Sequence, residues 1–192
     1  MRELVDRIHT EGVHVGGGIV KLDSFLNHQV DPGLTSRMGE EFRRRFEAQG
    51  VGRITRVVTA EASGIAVALN TAMAFGAYLI FARKSQSRTM TGTYYVAEAI
   101  SRTRGTSNDL MVDRRFLSEL ERVLIIDDFL ATGSTLFALC QLVIESGAEL
   151  AGIGCVVEKP QEGGRKTLAD IDVPILTLAK VEFVDNGLTV YE

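Results

Sequence analysis

No run in this chain approaches the roughly 18 consecutive apolar residues that a membrane-spanning helix needs, although hydrophobic residues make up 45% of the total. Met1, Arg2 and Glu3 begin no signal-peptide-like hydrophobic region, so a cytoplasmic protein without membrane contact is expected. Cysteine is scarce. Cys140 and Cys155 lack metal-ligand spacing and matching histidines, and they are expected as buried free thiols. Three prolines in 192 residues, with no repeat and no low-complexity linker, leave nothing to mark a domain boundary. One domain with one sizeable core is expected over residues 1–192. Positive charge is not in excess either: the formal net charge is −4 and no basic arm is present, which argues against a nucleic-acid footprint and favours a small ligand. His9, His14 and His28 are too scattered for a metal centre or a triad.

What is present is alternation. Leu4, Val5 and Ile8 predict a short opening helix ended near Gly12, and Leu34, Met38, Phe42 and Phe46 recur at helical spacing between Pro32 and Gly50. Asp31 and Pro32 suit the start of that second helix, because an aspartate can accept an orphan amide and proline has no amide to leave unpaired. Arg43, Arg44 and Arg45 are expected on its solvated face. From Arg56 onward the order is strand, helix, strand, in "RVVT", "GIAVALNTAMAFG" and "AYLIFAR", and strand and helix repeat after Arg122. The runs "VLIID", "GIGCVV" and "VPILTLA" are nearly continuously apolar, as parallel strands covered on both faces must be. The fold class expected is α/β, a doubly wound parallel sheet flanked by helices. Ser85 to Asp113 breaks the rhythm with polar residues, threonine-rich turns and "YYVAEAI", as a hairpin or a mobile flap would. Asn186-Gly187 between alternating apolar residues signals a further hairpin.

The stretch "VLIIDDFLATGST", Val123 to Thr135, carries the chemistry. A buried parallel strand over Val123 to Ile126 delivers Asp127 and Asp128 to its C-terminal end, where α/β folds hold ligands. The turn from Leu130 to Thr135 then enters a helix bearing Leu136, Leu139, Cys140 and Val143, so its amides and hydroxyls form a phosphate cradle at a helix N-terminus. Carboxylates in front of such a cradle repel the phosphate unless they hold something neutral and hydroxylated, such as a ribose diol, or a bridging Mg²⁺. The combination describes a phosphosugar. Neighbours on an ideal strand face opposite ways, so both acids reach one ligand only where the strand has begun to turn. The plainer alternative is a strand whose acids cap a helix or bind a metal.

This order resembles the signature of the type I phosphoribosyltransferases: hydrophobic residues, two acids, and a turn ending Thr-Gly-x-Thr. The resemblance implies that Asp127 and Asp128 hold the ribose hydroxyls of 5-phospho-α-D-ribose 1-diphosphate. It implies also that Ala131, Thr132, Gly133, Ser134 and Thr135 wrap the 5′-phosphate. "TAEASGIAVA", Thr59 to Ala68, resembles the family's diphosphate loop, with Glu61, Ala62 and Ser63 at its turn and small residues permitting close backbone approach. "FARK" ends the next strand, placing Arg83 and Lys84 where a leaving diphosphate could be neutralised.

"KLDSFLNHQVDP", Lys21 to Pro32, together with "IIDDFLATG" and "VVEKP", is similar to the bacterial xanthine phosphoribosyltransferases, purine-salvage enzymes, nearly end to end. That likeness implies a hood from about residues 1–33 and 178–192, with Val20 and Asn27 over the purine, Lys159 at its 6-oxo group, a flap over about 85–107, and a homodimer. A lysine only donates, so it accepts an oxygen at C6 and penalises the amino group of adenine. Asn27 can present its oxygen or its NH₂, so it serves the 2-oxo group of xanthine or the amine of guanine, and selectivity between them stays open. Gly16, Gly17 and Gly18 do not match G-x-G-x-x-G and read as a hinge beneath the hood.

The implied reaction transfers the phosphoribosyl group to N9 of xanthine and releases diphosphate, with Asp127, Asp128 and Lys84 as catalytic residues. Mg²⁺ is expected to arrive mainly through the diphosphate, with no protein side chain assigned to it. Related enzymes acting on hypoxanthine and guanine carry an acid where Ala131 stands here, so the general base is open, and xanthine, being fairly acidic, is expected to bind as an anion. Two alternatives remain: salvage of guanine or hypoxanthine, and a non-catalytic regulator that senses the phosphosugar, against which the absence of a helix-turn-helix or basic arm counts.

Overall fold

Period-two alternation inside the apolar strands decides the architecture. The computed structural model describes residues 1–85, 92–101, 106–184 and 187–192. Helix α1 (Arg2–Glu11) leads to a small hairpin of β1 (Val13–His14) and β2 (Val20–Lys21), whose loop contains Gly16, Gly17 and Gly18, all with positive φ. A π-helical turn, Asp23–Asn27, precedes helix α2 (Pro32–Ala48). Then follow β3 (Arg56–Ala60), α3 (Ile65–Phe75), β4 (Tyr78–Ala82), β5 (Tyr94–Ser101), β6 (Thr106–Asp113), β7 (Arg122–Leu130), α4 (Ser134–Glu145), β8 (Glu149–Glu158), the short α5 (Gly164–Thr167), β9 (Ile175–Val184) and β10 (Gly187–Tyr191). The main sheet has the order β10-β9-β8-β7-β3-β4 and is parallel throughout except for β10, which lies antiparallel on β9.

Successive residues of β7 face opposite cores. Leu124 and Ile126 join Val57, Val156 and the α2 and α3 residues Phe42, Phe46 and Val67, whereas Val123 and Ile125 join Val58, Ile153 and the α4 residues Leu136, Leu139 and Val143. Both faces are covered, which is why the strand reads as an unbroken apolar run. Cys140 and Cys155 are buried free thiols in the second core, and burial pushes the Cys140 thiol up to about 12. The expected α/β sheet, the α2 periodicity and the Asp31 cap hold: Asp31 accepts the Leu34 amide at 2.9 Å, and Leu34, Met38, Phe42 and Phe46 are fully buried.

Two expectations change, and one that stood open between a hairpin and a flap is decided over the described residues. β7 does not end at Ile126 but continues through Asp127 and Asp128 to Leu130, because β8 still pairs with it at Phe129↔Val157 and Leu130↔Glu158. Arg43 and Arg44 are on the exposed face as expected, paired with Glu47 and Glu41, but Arg45 is half-buried and reaches the Thr177 carbonyl at 3.1 Å. The segment taken as a hairpin or a flap is, over its described residues, a hairpin of β5 and β6 whose Tyr95, Ala97, Leu110 and Val112 pack into the second core. Residues 86–91 and 102–105, within or beside the expected flap, lie outside the described residues, as do Asp185 and Asn186 of the expected C-terminal turn. No helix among the described residues is long and apolar enough to cross a membrane.

Two glycines of β8 set how closely α2 lies on the sheet. A Cβ at Gly154 would stand 2.6 Å from Ile126 Cδ1 and 2.8 Å from Phe42 Cε1, and one at Gly152 2.7 Å from Phe46 Cε1. Replacing Gly154 by alanine therefore overpacks a fully formed core. Thermal and denaturant melts of Gly154→Ala are expected to show a loss of about 1–3 kcal/mol; an unchanged midpoint would mean that α2 is free to retreat.

Candidate active site

The two acids of β7 sit where the sheet's central strand leaves the covered region, and they meet different partners. Asp127 is 5% exposed. Its Oδ1 accepts from Thr59 Oγ1 at 3.3 Å and from the amide of Asp128 at 3.1 Å. Asp128 is half-buried, and it accepts from Asn27 Nδ2 at 2.7 Å and from the Phe129 amide at 2.9 Å. Burial is the main cause that pushes the Asp127 carboxyl well above its ordinary value, with the Asp128 charge adding to it; burial raises Asp128 also. The Lys84 charge acts on both in the opposite direction. Space for Asp127 depends on Gly64, since a Cβ there would collide with Asp127 Oδ1 and Thr59 Oγ1.

Beyond Leu130 the chain turns through Ala131, Thr132 and Gly133 into α4. Gly133 takes φ 81° at the helix N-cap, a left-handed value that costs glycine nothing and other residues about 1–2 kcal/mol. The amide of Phe137 bonds back to the Gly133 carbonyl, so the amides of the first turn point out of the helix without intrahelical partners. Thr132 and Ser134 hydroxyls lie 3.2 Å apart over that turn. Thr132, Ser134, Gln141, Lys166, Thr167 and Glu98 are among the residues lining a cavity of about 770 Å³. Amides and hydroxyls thus converge at a helix N-terminus.

The stretch from Thr59 to Ala68 lies beside Asp127, and its Glu61-Ala62 peptide is cis. Glu61 Oε1 accepts the Lys84 amide at 2.7 Å, and Oε2 stands 2.9 Å from Arg83 Nε without an aligned hydrogen bond, so this is an ion pair of charges rather than of directed donors. Arg83 is held further by reciprocal backbone bonds with Met111, both 2.9 Å. Glu61, Ala62, Ser63, Arg83 and Lys84 therefore gather around the end of β4 and the start of α3.

On the other side stand the residues expected for the purine. Val20 is buried in β2. Lys159 Nζ donates to the Gly18 carbonyl at 3.0 Å, lies 3.3 Å from Glu162, and sits 5.3 Å from the centre of the Phe129 ring. The Asn27 amide spends its NH₂ on Asp128, so the N-terminal segment is bonded to the strand ends at two places, Asn27–Asp128 and Gly18–Lys159. Sequence reasoning missed Phe129, Gly164 and Thr167 as neighbours of the site, and it did not bring Thr59 and Gly64 of the quoted loop against Asp127. The signals were faint: a threonine in an apolar strand, and paired glycines at Gly163-Gly164. Among the described residues no three or more His, Cys, Asp or Glu converge. Two carboxylates with hydroxyls suit a hard cation such as Mg²⁺ that keeps most of its waters and is shared with a diphosphate.

Residues 44–188 match the phosphoribosyl transferase domain family. The chain is 49% identical over 189 residues to a xanthine phosphoribosyltransferase of Deinococcus deserti, covering 98% of this chain and 96% of the relative. It is 44% identical to one of Lacticaseibacillus casei, covering 100% and 98%. Among solved structures, the adenine phosphoribosyltransferase of Rhodothermus marinus superposes with a TM-score of 0.74 at 23% identity, covering 94% of this chain and 99% of that one. That last likeness is one of fold.

The raised Asp127 carboxyl has a stability consequence of definite sign. A folded-state value above the unfolded one favours the fold below the ordinary carboxylate range of about 4, and this contribution is lost as pH rises through the raised value. Asp127→Asn, which keeps the acceptor for the Asp128 amide, is expected to melt higher than the parent at pH 7 to 8 without ligand. The difference should close towards pH 4. A lower melting temperature for the variant across this range would show that the charge is stabilised in place.

Proposed function

The chain belongs to the phosphoribosyl transferase domain family, and from that premise we propose that it transfers the phosphoribosyl group of 5-phospho-α-D-ribose 1-diphosphate to N9 of xanthine. The products are xanthosine 5′-monophosphate and diphosphate. The C1′–N9 bond forms, the C1′–O bond to the diphosphate breaks, and the purine loses one N–H proton. The observation that carries this reading is the continuity of β7 into the cradle: a buried carboxylate pair leads within a few residues to hydroxyls and amides at the N-terminus of α4. Neutral hydroxyls suit the first and a phosphate the second.

Each residue then has a task. Asp127 and Asp128 hold the ribose hydroxyls and favour positive charge developing at C1′. Ala131 to Thr135 anchor the 5′-phosphate far from the reacting bond, so that binding energy is turned into orientation. Glu61, Ala62 and Ser63 offer the diphosphate a closely approaching backbone, and Arg83 with Lys84 neutralises it as it leaves. Mg²⁺, bound mainly through the diphosphate, would spread the charge of the leaving group. Val20, Asn27 and Lys159 receive the purine, with Lys159 donating to the 6-oxo group. Ala131 cannot take a proton; the purine enters already ionised, its N–H proton lost to water before transfer. The N-terminal segment with the β9–β10 edge forms the hood.

The reaction belongs in the cytoplasm, where its phosphorylated substrate is found, and the enzyme works as a homodimer. Support for the dimer comes from Tyr78, 74% exposed, and Phe116, 55% exposed, which line a groove of about 630 Å³ between β4 and β6. Sedimentation at micromolar concentration should give twice the chain mass.

Purified protein with labelled phosphoribosyl diphosphate, Mg²⁺ and each purine in turn is expected to form nucleotide best with xanthine, and faster as pH rises through xanthine ionisation. Guanine or hypoxanthine outpacing xanthine would reassign the base. No nucleotide with any base would leave a phosphosugar sensor. A flat pH–rate profile would count against the anionic purine.

A further inference from the structure

Opposite the cradle, and some thirty residues further along the chain, the turn into α5 is packed against it without any space to spare. A Cβ on Gly133 would lie 2.8 Å from the Gly164 carbonyl oxygen and 3.1 Å from Thr167 Cβ. Gly164 is buried, and a Cβ there would collide with the Ala131 carbonyl and lie 3.2 Å from the Gly133 nitrogen. Thr167 Oγ1 donates to the Thr132 carbonyl at 2.7 Å. In a trans peptide the carbonyl oxygen and the following N–H point opposite ways. The bond that draws the Thr132 carbonyl towards Thr167 therefore turns the Gly133 N–H away from this wall.

Charge gives a second, independent indication. The cradle itself contains amides and hydroxyls but no cation, and the acids of β7 lie close behind it. A phosphate monoester carries close to two negative charges at neutral pH. Among the described residues lining the adjoining cavity, Lys166 is the one cation, sharing it with the carboxylates of Glu98, Glu162 and Asp170 and the hydroxyls of Thr132 and Ser134. Glu162 is already engaged by Lys159. Lys166 is exposed and has no ion pair among the described residues.

We propose that the segment Gly163–Thr167 is a working wall of the 5′-phosphate site, with Thr167 as a positioning residue that fixes the Thr132-Gly133 peptide and Lys166 as the cation that neutralises the phosphate. The inference rests on the cradle reading above. It adds to the reaction two residues that act on the sugar substrate and not on the purine.

Calorimetric titration of the full chain with phosphoribosyl diphosphate and Mg²⁺, alongside steady-state kinetics, separates the possibilities. Thr167→Val keeps the shape and removes the hydroxyl, while Thr167→Ser restores it. Lys166→Gln removes the charge, while Lys166→Arg keeps it. Both Thr167→Val and Lys166→Gln are expected to weaken binding of phosphoribosyl diphosphate about five- to tenfold, the size of one directed or charge-assisted bond. KM for xanthine should stay unchanged, and Ser and Arg should recover most of the loss. The Lys166→Gln deficit should also shrink as salt is raised. Parent protein that binds while both variants bind equally well overturns this inference alone. Equal losses for xanthine, or a fall in melting temperature with no rescue by Ser or Arg, reduce the wall to scaffolding and overturn it too. Parent protein that does not bind phosphoribosyl diphosphate at all overturns the cradle reading, and this inference with it.

Discussion

A carboxyl group buried in the middle strand of a sheet is the constraint around which the molecule is arranged. Asp127 lies between β3 and β8 with little access to water, where an ionised carboxylate loses hydration that its neighbours replace only in part. The Thr59 hydroxyl, the Asp128 amide and the Lys84 charge offset some of that loss. Nothing about folding requires an acid there. A residue that burdens the fold at the point where parallel strands present ligands is the kind of local conflict that function maintains. The surroundings follow from it: β8 holds β7 extended past the acids, and Gly64 leaves room for the carboxylate.

Around this centre the chain closes by contacts between distant segments. Asn27 reaches Asp128, Gly18 reaches Lys159, and Thr132 reaches Thr167. Each bond ends on a residue of the strand ends or of the turns that leave them. Segments that look independent in sequence thus share the same few polar groups. At the end of β8, Glu158 is buried but held ionised by the Arg165 fork at 2.7 and 2.9 Å, which fixes the backbone on which Lys159 is carried.

Most of the scaffold could be read directly. Apolar runs marked β7, β8 and β9 because both faces of a parallel sheet are covered, and the four-residue recurrence of Leu34, Met38, Phe42 and Phe46 marked α2 because one face of a helix must be buried. Asp127 and Asp128 could be singled out because α/β folds hold ligands at the C-terminal ends of parallel strands. Their continued strand geometry could not, since it depends on pairing with Phe129↔Val157 and Leu130↔Glu158, a property of two segments and not of one. The same holds for Thr167 and Gly164. Their importance is a matter of what lies 3 Å away, and nothing in "GGRKT" names Thr132 as that neighbour.

The edges of the sheet are treated unequally. One margin is finished by the antiparallel β10. At the other, Ala82 turns its carbonyl inward to Glu61, so alternation directs both backbone groups of Arg83 outward, and Met111 takes them. Unpaired backbone on that side is thereby confined to the short span Tyr78–Ala82. A foreign strand seeking to extend the sheet would find a template of a few residues bounded by a closed end, too short to seed fibrous growth.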